Sequence, residues 1–150
     1  TNTDNERKDF SFKAKAMIKK IHEAGAEAAL YMIHAYVEPH ENTNPEMIKN
    51  IKKMYIDAAN QNNVLVIPVG IAFENAYDLN PDIVLHKDYD GSHPSLLGTY
   101  LAACVVFSSI THKSPLKIQY DYFGKITQED KKFLQEVAKN TVENFYRIKL

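Results

Sequence analysis

The residues best suited to chemistry stand together in Asp90-Gly91-Ser92-His93-Pro94-Ser95. Histidine is the side chain whose ordinary pKa, about 6.5, lets it take and return a proton near neutrality. A carboxylate three residues earlier can reach its Nδ1 within one turn of chain. That contact fixes which ring nitrogen carries the proton and leaves Nε2 as a base. Pro94 disfavours helical backbone at His93, so the ring projects from a loop. Ser95 is placed to cap a helix beginning at Leu96. Taken alone, Asp-x-x-His is also the pattern of a simple capping turn. Ser92 is a poor nucleophile despite its position, because neighbouring side chains in extended backbone point apart.

A base must be mounted rigidly, and the following helix is suited to that. Leu96, Leu97, Tyr100, Leu101, Cys104, Val105 and Phe107 make it apolar nearly all round, which predicts burial. Cys104, the sole cysteine, reads there as a small buried hydrophobe. Earlier in the chain, residues 1–9 form a polar segment expected to fray. The domain proper is expected to span 10–150. Phe10, Ala14, Met17, Ile18 and Ile21 recur at helical spacing, and Gly25 suits a left-handed cap.

Ala28 to Ile33 is a continuous apolar run, predicting a strand covered on both faces. A polar loop, His34 to Asn44, leads to Asn44-Pro45, read as a cap and first helical position. That helix runs through Met47, Ile51, Met54 and Ala58 and ends in Asn60–Asn63. Val64 to Ile67 predicts a second buried strand, and Ile71 to Leu79 a short helix closed by Asn80-Pro81. After an irregular stretch from Ser114 to Lys125, Thr127 can cap a last helix. Its expected buried face is Phe133, Leu134, Val137, Ala138 and Val142.

This order of elements predicts an α/β layered fold with right-handed crossovers. Two strands alone leave sheet edges and faces poorly covered. The sequence therefore predicts either self-association or, preferably, N-terminal strands missing from this chain.

The block DGSHPS followed by Leu97-Gly98-Thr99-Tyr100-Leu101-Ala102-Ala103-Cys104 resembles the last sequence block of the SGNH (GDSL-like) serine hydrolases. The similarity extends more loosely from Phe10 to Val142. It takes in Leu30-Tyr31-Met32 through Tyr36, Pro68-Val69-Gly70-Ile71-Ala72-Phe73, and Ser114-Pro115 with the closing helix. The resemblance implies a three-layer α/β/α, flavodoxin-like parallel sheet, of which this chain is the C-terminal portion. It implies an esterase or deacylase acting on a small-molecule or glycan ester, such as an acylated carbohydrate. His93 would be the general base and Asp90 its orienter. The family's G-D-S nucleophile block and its glycine and asparagine blocks have no counterpart here. None of Ser11, Ser92, Ser95, Ser108, Ser109 or Ser114 lies in a G-D-S-like turn. The competing expectation is a truncated or degenerate hydrolase-like domain that binds a partner or glycan without catalysis.

Other clusters are weaker. His34, Glu38, His40 and Glu41 follow the first strand, where α/β sheets commonly bind ligands. From this loop His34 and Tyr36 are the substrate-contact candidates, Tyr36 as an aromatic wall. A solvated polar loop is the alternative. His86, Asp88, Asp90 and His93 carry metal-ligating groups, but their spacing matches no known ligand motif, and neither metal nor cofactor is expected. A net charge of −1 gives no electrostatic footprint for nucleic acid or an anionic membrane. No membrane-length apolar run occurs, and the compartment stays open.

Overall fold

The computed structural model describes residues 4–150. Among them the chain forms α1 (Asp4–Glu23), β1 (Ala29–Tyr31), α2 (Met47–Asn62), β2 (Leu65–Ile67), α3 (Val69–Leu79), α4 (Leu96–Thr111) and α5 (Gln128–Tyr146), with a 3-10 turn at Pro115–Lys117 before α5. The first helix reaches back to Asp4 rather than starting at Phe10, and Gly25 takes the expected left-handed conformation beyond its end, φ 79°.

Among the described residues the expected three-layer α/β/α sheet is not present. β1 and β2 pair in parallel, Ala29 with Leu65, Leu30 with Val66 and Tyr31 with Ile67, and each strand has only three residues. Pro68 follows β2 at once and α3 begins at the next residue, which ends the ladder. A sheet this small cannot form a layer between helices, so helix packing builds the molecule. α4 packs chiefly on α5, and both pack on α3, while α1 and α2 pack on each other. Nor is β1 covered on both faces. Leu30 and Met32 point inward, whereas Ala29, Tyr31 and Ile33 are exposed.

One core gathers Phe73, Leu85, Leu101, Val105, Leu134 and Val142 between α3, α4 and α5. A second joins Met32 and Val66 of the strand segments to Met47, Ile51, Met54 and Tyr55 of α2. The expected buried helix is α4, and its side chains Tyr100, Leu101, Cys104 and Val105 are buried. Ser95 caps it as expected, its Oγ accepting from the Gly98 N–H at 3.1 Å. Thr127 caps α5 the same way, accepting from Asp130 N–H at 3.0 Å. Asn44 acts earlier than expected: its Oδ1 accepts from Glu46 N–H, and α2 starts only at Met47. Lys131 of α5 is buried, with its ammonium 3.4 Å from the Gln119 carbonyl. Among the described residues no helix is long and apolar enough to cross a membrane.

Candidate active site

The loop between α3 and α4 folds back on itself before it presents His93. His86 and Pro94 form an antiparallel bridge. Lys87 N–H donates to the His93 carbonyl at 2.7 Å, and Ser95 N–H to the Leu85 carbonyl at 2.8 Å. Gly91 closes the tip with φ 62°, and a Cβ there would overlap the Val37 carbonyl oxygen. Val37 N–H in turn donates to the Gly91 carbonyl at 2.9 Å. The loop after β1, carrying His34 and Tyr36, is thereby fastened to the loop carrying Asp90 and His93.

Asp90 and His93 are paired as their spacing implies. The His93 Nδ1–H donates to Asp90 Oδ2 at 2.5 Å. The other carboxylate oxygen accepts from the backbone N–H of Ser92 at 2.9 Å and of His93 at 3.0 Å. The His93 amide foremost, with the Ser92 amide and the imidazole, holds the Asp90 carboxyl far below the usual carboxylate range. Asp90 is thus a permanent acceptor that fixes the proton of His93 on Nδ1. The His93 side chain is 71% exposed, and among the described residues its Nε2 has no hydrogen-bond partner. Ser92 Oγ lies 3.4 Å from Nδ1, the nitrogen already engaged by Asp90. Its proton therefore has no route to the basic nitrogen.

The sequence candidates His34 and Tyr36 fall in different surroundings. His34 stacks on Phe73, ring centroids 4.5 Å apart, and lies near enough to His93 for the two charges to oppose each other. Tyr36 stacks on His40 at 3.9 Å and packs against the core around Met47, so much of its ring is already occupied. Sequence reasoning did not single out Tyr77 or place His86 with it. The Tyr77 hydroxyl lies 2.6 Å from His86 Nδ1, and His86 Nε2 lies 2.9 Å from His34 Nδ1. A tyrosine nine residues from a histidine across a helix end has no motif to announce it. An apolar cleft of about 420 Å³ follows α4 from Leu96 to Phe107, but neither Asp90 nor His93 lines it. Among the described residues no cluster of three or more metal-ligating side chains is disposed to hold an ion.

A crystal structure of a DUF4886 family protein from Bacteroides uniformis is similar to this chain over 93% of its length, with a TM-score of 0.75 and 24% sequence identity. The match covers 59% of that protein's chain, so this chain spans about three-fifths of it. At that identity the likeness shows the fold alone. No family model and no curated protein sequence matches the chain.

Proposed function

We propose that Asp90 and His93 are the orienter and general base of a serine ester hydrolase resembling the SGNH enzymes. Its substrate would be a small-molecule or glycan ester, such as an acylated carbohydrate. One observation carries this reading: Asp90 takes Nδ1 of His93 and leaves Nε2 unengaged on an exposed ring. In that state Nε2 can accept a serine proton as the hydroxyl attacks the ester carbonyl, then return it to the departing alkoxide. Asp90 would stay ionised throughout and stabilise the imidazolium. Among the described residues no serine hydroxyl meets Nε2, so the reading requires a nucleophile from outside these residues.

That requirement also favours a second reading, a hydrolase-like module that binds a partner or glycan without turnover. Turnover of p-nitrophenyl acetate by the natural polypeptide carrying these residues distinguishes the two. Hydrolysis that is lost in His93→Ala supports the enzyme. Absence of hydrolysis supports the binding module, and hydrolysis unchanged in His93→Ala would contradict the role given to His93.

A further inference from the structure

Behind the Asp90–His93 pair, two more imidazoles run inward, and their protons can be placed from the geometry. His86 is 4% exposed. Its Nε2 lies 3.0 Å from the Ala35 carbonyl oxygen, which can only accept, so Nε2 carries the hydrogen. Burial first, and the neighbouring His34 second, push the His86 pKa down to about 4 and keep the ring neutral at pH 7. A neutral ring has one N–H, so Nδ1 is the acceptor for the Tyr77 hydroxyl at 2.6 Å.

This leaves His34 little choice. Its Nδ1 faces the His86 Nε2–H at 2.9 Å and must offer a lone pair. The competing arrangement, a His34 Nδ1–H donated to the Ala35 carbonyl, spans 3.3 Å and sets two hydrogens against each other. Burial pushes the His34 pKa down as well, so its single proton sits on Nε2. Among the described residues that atom has no partner, and His34 is not buried. Phe73 fixes the ring plane, inclined 16° to its own. Gly70 admits the chain closely, since a Cβ there would overlap the Ile33 carbonyl oxygen.

We infer that His86 is a positioning residue that locks His34 as its Nε2–H tautomer, so that His34 presents a fixed N–H donor near His93 to an acyl or carboxylate oxygen. The substrate oxygen rests on the ester-hydrolase reading; the tautomer does not. A neutral, preset donor suits charge that develops on a carbonyl oxygen, because it needs no reorganisation when the charge appears.

Long-range proton–nitrogen correlation spectra of the imidazoles test both parts. In the wild-type chain at pH 7 the account expects an Nε2–H signature for both His34 and His86. An Nδ1–H signature at His34 would overturn it. In His86→Phe the lock is gone, and His34 should shift to Nδ1–H, donated to Ala35. His86→Gln, whose amide can donate to the same nitrogen, should restore the Nε2–H form. An unchanged His34 tautomer in His86→Phe would show that His86 only packs. Should that variant not fold, His86→Met, which likewise cannot donate to His34 Nδ1, takes its place, and an unchanged Nε2–H form at His34 overturns the inference. Acetate is the oxygen probe: it should move the His34 Nε2–H resonance in the wild type and not in His86→Phe. No movement in the wild type would overturn the donor role while leaving hydrolysis to be judged by turnover.

Discussion

At the scale of single residues, the division of labour between the two ring nitrogens of His93 decides what the loop can do. Replacing Asp90 by Asn keeps the shape but sets an amide against Nδ1, favouring a proton on Nε2 and abolishing the base. On the proposed ester-hydrolase reading, Asp90→Asn is expected to lower kcat of the natural polypeptide by about 10⁴-fold. Ser92→Ala should leave it unchanged, because the Ser92 hydroxyl faces the wrong nitrogen. Ester-hydrolysis kinetics on the two variants check both. His86 makes a separate prediction for stability. Its folded pKa, about 4, lies below the ordinary histidine value, so folding favours the neutral ring. That contribution is complete above about pH 6.5 and is lost as pH falls toward 4, amounting to about 3 kcal/mol at the acid limit. Denaturant unfolding at pH 7 and pH 4 should show a larger acid loss in the wild type than in His86→Phe. The Asp90–His93 pair was legible in the sequence because its members are three residues apart. The Tyr77–His86–His34 chain was not, because His34 and His86 lie 52 residues apart and meet only when two loops are fastened together.

At the scale of elements, capping chemistry was readable and strand length was not. Ser95 and Thr127 mark the starts of α4 and α5 through local hydrogen bonds, which neighbouring residues alone determine. The apolar runs at Ala28–Ile33 and Val64–Ile67 mark extended segments, but pairing reaches only three residues in each. How far a strand pairs depends on partners distant in sequence, and an apolar run records none of that. The joints between elements are set by close backbone approaches. Gly98 lies in the first turn of α4, and a Cβ there would overlap the Leu85 carbonyl oxygen and press on the Phe73 ring. Gly98→Ala should therefore destabilise the fold by about 1–3 kcal/mol, the range for overpacking a filled site. It should also displace the His86–Pro94 bridge that α4 anchors. Denaturant midpoints measure the first effect, and loss of the His86 Nε2–H signature reports the second.

At the scale of the whole molecule, apolar side chains on β1 and just beyond it stand exposed. Tyr31 is 43% and Ile33 42% exposed, and Met17 on the adjoining helix is 65% exposed. Burying such a patch is favourable, at about 25 cal/mol for each Å² of apolar surface removed from water. The chain is therefore expected to self-associate at micromolar concentration, and Ile33→Lys should shift sedimentation toward the monomer. A wild-type chain that sediments as a compact monomer would contradict this. The mount for His93 is complete within these residues, whereas a nucleophile for its Nε2 is not. Labelling of the natural polypeptide with a fluorophosphonate probe tests the central claim most directly, because the probe reacts only with a serine activated by a neighbouring base. The account predicts one labelled serine, outside these 150 residues, and loss of labelling in His93→Ala. No labelled serine, or labelling that persists in His93→Ala, would contradict it.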